Sequence, residues 1–249
     1  MGASTVRLLA SLGADVAVLD VDRERAESTA AEAAKEGVRS AAIVGDVFDD
    51  GAVGRAVDEA EEAIGPLSGM AAIVGMAGWS SLLDMTPQTW DMDQQRNLRY
   101  FFMIAQAVAR KLVSRGMPGS IVGVCSVDGI RSAPHHASYG AAKAGLMNLV
   151  RSMTMEWAEH GIRVNLVAPG AIITPRIPER EAGLERQMSA CIPMGRRGTT
   201  DEIAKAITFF LSDMSSYVSG QTLAVDGGYL SAGLFGTPAV DKPGGTLGA

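Results

Sequence analysis

Short apolar runs alternate with longer segments of helical periodicity along most of the chain. Apolar runs of four to six residues predict buried strands at residues 15–20, 40–44, 70–74, 120–125, 163–168 and 221–225. Apolar residues at helical spacing predict helices at residues 4–12, 23–35, 52–64, 90–114 and 138–160, and one capped by Thr200 that runs through Leu211. Continuous apolar strands that alternate with helices are typical of a parallel sheet covered on both faces. The predicted fold class is α/β.

The pattern shows no internal repeat and no linker before about residue 231. With 249 residues and 47% hydrophobic content, the chain is long enough for one sizeable core. We therefore expect one domain over residues 1–230. Residues 231–249, rich in Gly and Pro, are expected to form an irregular tail.

Charge and composition exclude several classes of function. A net charge of -6 and a pI near 5.1 leave no basic surface for nucleic acid or anionic lipid. No apolar run reaches the roughly 18 residues of a membrane helix, and Asp15 and Asp20 interrupt any signal peptide. Cys125 and Cys191 lack metal-ligand spacing and suit a reducing cytoplasm, and no metal site is expected.

The segment CSVDGIRSAPHHASYGAAK holds the most informative polar residues. Tyr139 and Lys143 are four residues apart on a predicted helix, so both side chains project from one face. An ammonium beside a phenol lowers the phenol pKa, which suits a general acid or base. Ser126 ends a predicted strand, at the edge where open α/β sheets bind ligands. Such a pair also occurs by chance in many helices.

Together with this pair, other residues along nearly the whole chain, to about Leu230, resemble the pattern of the short-chain dehydrogenase/reductase family. Ser126 stands thirteen residues before Tyr139, and Asn97 lies in the preceding long helix, as in that family. Further matches in the same order are Pro169-Gly170 followed by Thr174, the segment IPMGRRGTTDEIA and the closing VDGGYL. The resemblance implies a Rossmann-type doubly wound parallel sheet and a nicotinamide dinucleotide cofactor.

The resemblance also implies a role for each matching residue in exchanging a secondary alcohol and a ketone by hydride transfer. Tyr139 would exchange the proton on the substrate oxygen, to which Ser126 would donate a hydrogen bond. Lys143 would hold the ribose hydroxyls and lower the pKa of Tyr139, while Asn97 would orient a water beside Lys143. Thr174 would contact the nicotinamide carboxamide. His135 and His136 lie between Ser126 and Tyr139 and are candidates for tuning substrate choice.

The cofactor residues indicate NAD(H) in preference to NADP(H). Asp20 follows Gly2 by eighteen residues, close to the spacing of about twenty between the glycine loop and the acid that binds the adenosine ribose. A carboxylate there repels a 2′-phosphate, although Arg23 is a possible phosphate partner. By resemblance, Asp46, followed by Val47, contacts the adenine. The expected cofactor contacts are completed by Ala77, Gly78, Pro169, Gly170, Ile172, Thr174, Tyr139 and Lys143.

The chain departs from the family pattern at its start. Of the glycine loop Gly-x-x-x-Gly-x-Gly only the last glycine, Gly2, is present, and the first strand is absent. That strand buries about five apolar residues, or about 8 to 15 kcal/mol, against a typical domain stability of about 5 to 15 kcal/mol. We therefore expect two unpaired strand edges, and a natural start about ten to twenty residues upstream of Met1.

A second departure lies at IVGMAG, where Gly75-Met76 replace the usual pair of asparagines, so the hydrogen bonds that brace this segment are in question. A non-catalytic dinucleotide-fold subunit or scaffold that has lost its cofactor site is therefore the alternative to the enzyme. The resemblance suggests a homotetramer or homodimer built on residues 90–114 and 138–160. The mixed composition of residues 171–199 leaves steroid, sugar, acyl and small cyclic alcohols open as the small-molecule substrate.

Overall fold

A computed structural model describes residues 1–232 and contains six strands and eight α-helices in that part of the chain. The predicted tail of residues 231–249 lies outside the described residues from position 233 onward. The strands are β1 (Val16–Asp20), β2 (Ser40–Val44), β3 (Gly69–Ala72), β4 (Gly119–Val124), β5 (Ile162–Pro169) and β6 (Thr222–Val225). The helices are α1 (Gly2–Ser11), α2 (Arg23–Ala34), α3 (Asp50–Ile64), α4 (Pro87–Gln94), α5 (Tyr100–Ser114), α6 (Ala137–Trp157), α7 (Ala182–Ser189) and α8 (Thr200–Leu211).

The strands form two parallel sheets. One contains β1 and β2, and the other has the order β3-β4-β5-β6. Within the described residues, no strand pairs with both sheets and joins them. The sequence predicts this division, because the strand that joins the two halves in the resembling family is absent.

Helices and a common core hold the two sheets together. Helix α1 lies against α8, where the Ser4 hydroxyl donates to the Thr200 hydroxyl at 2.9 Å. Leu19 of β1 packs against the main apolar cluster, which includes Ala72 of β3 and the fully buried Phe101 of α5. Burying such side chains is the main source of stability in a fold of this size.

Three contacts place the carboxyl ends of β2 and β3 at the same edge of the molecule. The Tyr100 hydroxyl donates to the Val74 carbonyl at 2.5 Å, just beyond β3. The Tyr100 and Phe48 rings meet edge to face with centroids 6.1 Å apart, and Phe48 follows β2. Arg99 forms an ion pair with Asp50 at the start of α3. This edge is where open α/β sheets bind ligands.

The structure differs from the predicted elements at three places. The helix predicted over residues 90–114 is interrupted by a π-helical turn, Gln95–Arg99. The cap of α8 is Thr199 instead of Thr200, and it forms a reciprocal capping box with Glu202. Helix α7 was not predicted; it is only eight residues long and lies in the segment of mixed composition at residues 171–199. It is held by an ion pair between Glu185 and the buried Arg197.

No helix in residues 1–232 is long and apolar enough to span a membrane.

Candidate active site

Two glycines allow α6 to approach the turn after β4, where Ser126 lies. A Cβ on Gly129 would come within 2.8 Å of the Lys143 backbone, and one on Gly140 would come within 2.9 Å of the Asp128 carbonyl. Ser126 caps this turn, since its hydroxyl oxygen accepts from the Asp128 N–H at 3.1 Å. The hydroxyl proton of Ser126 is not used by that bond. The Ser126 hydroxyl is also a hydrogen-bond partner of Tyr139.

Tyr139 and Lys143 lie on the face of α6 that meets this turn. The Lys143 Nζ is 5.6 Å from the centroid of the Tyr139 ring and donates to the Val124 carbonyl at 2.8 Å. Lys143 is only 2% exposed, so its ammonium lies in an environment of low polarity. The structure therefore brings Ser126, Tyr139 and Lys143 together at the carboxyl end of β4.

Burial dominates the ionisation of both groups. It raises the pKa of Tyr139 to about 12, while the neighbouring Ser126 hydroxyl acts in the opposite direction. Burial also lowers the pKa of Lys143 to about 8. The expectation that Lys143 lowers the pKa of Tyr139 differs from this structure, because the loss of water around the phenolate has the larger effect. A phenol with a raised pKa stays protonated at neutral pH and is a weaker acid than free tyrosine.

Asn97 lies in the π-helical turn and is completely buried. Its Nδ2 donates to the carbonyls of Met76 at 2.8 Å and Asp93 at 3.0 Å, and its Oδ1 accepts from the Met76 N–H at 3.2 Å. A Cβ on Gly75 would lie 3.1 Å from the Asn97 Oδ1 and 3.4 Å from the Lys143 Nζ. Gly75 therefore separates Asn97 from Lys143, and π-helical turns of this kind are frequent at functional sites.

Asp93 and Ser138 belong to the same network and were not predicted from the sequence. The Asp93 carboxylate accepts from the Gly78 N–H at 3.0 Å and from the Ser138 hydroxyl at 2.5 Å. Asp93 is 2% exposed, and Ser138 directly precedes Tyr139. The side chains of Asp93 and Asn97 thus brace the IVGMAG segment without the asparagine pair of the family pattern. Their spacing of four residues was the available sequence signal.

The expected adenosine contacts lie after β1 and β2. Asp20 ends β1, and its Oδ1 accepts from the Asp22 N–H and from Arg25, both at 2.9 Å. Arg23, the possible phosphate partner, forms an ion pair with Glu27 at 3.3 Å instead. Asp46 is exposed and accepts from the Phe48 N–H.

The remaining expected cofactor residues lie at the same edge of the sheets or at the start of α1. Val47 is buried in the main cluster, which leaves its backbone for contacts. Gly170 follows Pro169, the last residue of β5, and a Cβ on Gly170 would lie 2.8 Å from Asp226. Ile172 is buried, and the Thr174 hydroxyl accepts from the Ile177 N–H. Ala77 and Gly78 are half-buried. Gly2 is the first residue of α1, and a Cβ on it would meet open space.

The chemistry of these groups fits a dinucleotide. The Lys143 ammonium donates one of its three protons to the Val124 carbonyl, so the other two suit the hydroxyls of a ribose. The start of α1 has no side-chain cap, and its free N–H groups suit phosphate oxygens. In residues 1–232, no group of three or more His, Cys, Asp or Glu side chains is arranged to hold a metal, and Cys125 and Cys191 are free thiols.

Comparison with known proteins gives consistent matches. The family described as enoyl-(acyl carrier protein) reductase matches residues 1–230. The cis-4-hydroxycyclohexanecarboxylate dehydrogenase of Sinomonas cyclohexanicum is 37% identical over 92% of both chains. The inactive 2-(S)-hydroxypropyl-CoM dehydrogenase 2 of Xanthobacter autotrophicus is 36% identical over 87% of this chain and 95% of its own.

A solved structure extends the similarity to the fold. The gluconate 5-dehydrogenase of Burkholderia cenocepacia, in complex with NADP and tartrate, superposes with a TM-score of 0.85 at 34% sequence identity, over 92% of this chain and 90% of its own. With the sheet architecture and the family match over residues 1–230, the chain belongs to the short-chain dehydrogenase/reductase family of oxidoreductases.

Proposed function

We propose that this protein is an NAD(P)(H)-dependent oxidoreductase that interconverts a secondary alcohol and a ketone. The observation that carries the proposal is the convergence of Ser126, Tyr139 and a buried Lys143 at the carboxyl end of β4. A nicotinamide dinucleotide, when bound, supplies or accepts the hydride. The chain supplies hydrogen bonds, a proton and the shape of the site.

Each of the proposed catalytic residues has one task. Ser126 donates its hydroxyl proton to the substrate oxygen, where negative charge develops as the ketone is reduced. Tyr139 is protonated at neutral pH and gives its proton to the same oxygen. Lys143 binds ribose hydroxyls with its two unused protons. Asn97 holds the Met76 backbone, which keeps the segment beside Lys143 in place.

Replacing Tyr139 with phenylalanine tests this proposal, because it removes the proton donor and keeps the ring. We expect Tyr139→Phe to lose about 10²- to 10⁴-fold in kcat, while NADH binding, followed by fluorescence, stays within twofold. Tyr217→Phe is the matched control, since Tyr217 is fully exposed. Turnover by Tyr139→Phe equal to that of the Tyr217 control would show that the proposal is wrong.

We propose NAD(H) as the preferred cofactor and Asp20 as the residue that selects it. Its carboxylate ends β1, where a 2′-phosphate would meet a like charge, although Arg25 partly balances it. Titration of the chain with NADH and with NADPH measures the preference directly. Asp20→Asn should tighten NADPH binding and weaken NADH binding, because the carboxylate expected to accept from the adenosine ribose is lost. A chain that prefers NADPH before any substitution contradicts this assignment.

A non-catalytic dinucleotide-fold subunit is the second candidate. The observation that favours it is the division of the sheet between β1 and β3, which separates the expected adenosine contacts from the catalytic residues. One relative of similar sequence is named as an inactive dehydrogenase. Failure of both NADH and NADPH to bind, with a cooperative thermal transition still present, would favour this candidate over the enzyme.

We further propose a cytoplasmic homotetramer or homodimer in which residues 1–230 form one domain and a small-molecule alcohol or ketone is the substrate. Two free thiols suit a reducing compartment. An apolar groove between α5 and α6, lined in part by Phe102, Leu149 and Trp157, would lie between subunits. Light scattering after size exclusion measures the assembly, and Phe102→Glu should lower its mass. A monomeric wild-type chain would contradict the proposal.

A further inference from the structure

His136 is the buried histidine beside the proposed catalytic tyrosine. Its side chain is 12% exposed, and its ring lies 5.6 Å from the Tyr139 ring, centroid to centroid. His136 directly precedes α6, so the helix that positions Tyr139 also positions the imidazole. The reaction proposed above assigns it no task.

The Asp128 carboxylate fixes the tautomer of this imidazole. The His136 Nδ1 lies 2.7 Å from the Asp128 Oδ2, and an ionised carboxylate only accepts hydrogen bonds. Nδ1 therefore carries a proton. Asp128 is itself held by its N–H, which donates to Ser126. The ring is thus oriented through the turn that carries Ser126.

The other ring nitrogen has no partner within the described part of the chain. Nε2 of His136 is buried and makes no hydrogen bond. Buried polar atoms are almost always paired, and leaving one unpaired is costly. An unpaired nitrogen at this place is suited to hydrogen-bond a polar group of a ligand.

Trp79 packs against the His136 imidazole. Its indole ring lies 3.8 Å from the imidazole, centroid to centroid, and Trp79 is 73% exposed. The adjacent Ser80 N–H donates to the carbonyl of His135, a residue with φ of 62°, in the left-handed region that costs a non-glycine residue energy. The backbone is tied, whereas the indole has solvent on its outer side. Rotation of the indole outward would open Nε2 to the site.

We propose that His136 is a specificity-determining residue that binds a second hydroxyl group of the substrate. The inference rests on the proposed oxidoreductase function. A hydroxyl both donates and accepts, so it satisfies Nε2 whether the imidazole is neutral or protonated. The substrates are then alcohols or ketones that carry a further hydroxyl near the reacting carbon, such as cyclic diols, hydroxy ketones and sugars. The Trp79 indole supplies an apolar wall for the carbon skeleton of the substrate.

Matched substrates test this specificity. Cyclohexane-1,2-diol is compared with cyclohexanol, and butane-2,3-diol with butan-2-ol, in wild type and in His136→Phe, which keeps an aromatic ring. We expect kcat/KM for the diols to fall by about 5- to 150-fold in the variant, the effect of an unpaired polar partner. The values for the simple alcohols should stay within twofold. His135→Asn is the control, because asparagine tolerates positive φ.

A binding measurement on the unsubstituted protein separates the two proposals. The chain has three histidines, so the ¹⁵N signals of the rings can be assigned and followed as cyclohexane-1,2-diol is added without cofactor. A shift of the His136 Nε2 signal, even without turnover, supports the inference while the oxidoreductase proposal fails. Turnover with no such shift, or an equal loss for diols and simple alcohols in His136→Phe, overturns the inference and leaves the oxidoreductase proposal standing.

Discussion

Removal of the Asp93 carboxylate should be among the most damaging single changes near the site. Asp93 is 2% exposed and accepts two hydrogen bonds, from the Gly78 N–H and the Ser138 hydroxyl. A hydrogen bond to a charged group contributes about 1.5 to 3 kcal/mol, so Asp93→Ala should lower the free energy of unfolding by about 3 to 6 kcal/mol. Asp93→Asn keeps an acceptor for Gly78 and offers an N–H to Ser138, so its cost should be about 1 to 2 kcal/mol.

Urea denaturation followed by circular dichroism measures these differences, with NADH binding as a second readout. Asp91→Ala is the matched control, since Asp91 lies on the same helix, α4, and is exposed. It should stay within about 0.5 kcal/mol of wild type. If Asp93→Ala also unfolds within about 1 kcal/mol of wild type at an unchanged m-value, the bonds of Asp93 do not stabilise the fold.

Two further predictions concern pH. Burial lowers the pKa of Lys143 to about 8, whereas a lysine in the unfolded chain keeps its proton up to about pH 10. Between about pH 8 and 10 the unfolded chain therefore binds one more proton than the folded chain, so the stability of wild type should rise over that range. Lys143→Met should lack that rise, and parallel stability curves for the two proteins would contradict it. Arg196 lowers the pKa of Glu202 to about 2, so the ionised carboxylate should stabilise the fold above about pH 4.5, an effect lost as pH falls toward 2. The melting temperatures of wild type and Glu202→Gln should therefore converge on acidification, and a constant difference between them would refute the assignment.

Periodicity alone located most of the elements, with bounds close to those observed. The strand predicted at residues 40–44 coincides with β2, and the helix predicted at 138–160 contains nearly all of α6. Errors arose where tertiary contacts override local pattern. Helix α7 is held by the buried Arg197, which follows Glu185 by 12 residues, and the Asn97 side chain in the π-helical turn bonds the Met76 backbone, 21 residues earlier.

The sequence by itself determined the α/β class and the order of elements, which follow from apolar spacing, a local property of a chain. The set of Ser126, Tyr139, Lys143 and Asn97 came from the family resemblance and stays a prediction of the catalytic residues. The division of the strands in residues 1–232 into two separate sheets also followed from the sequence, since no further apolar run is available there to join them.

Only the tertiary structure decided how those residues behave. Burial sets the pKa of Tyr139 and Lys143, because the cost of removing water around a charge depends on everything packed nearby. The bonds of Asp93 to Gly78 and Ser138, and the unpaired nitrogen of His136, likewise join segments that are distant along the chain or set apart by a turn. Such pairings depend on distance in space, which a one-dimensional pattern does not encode.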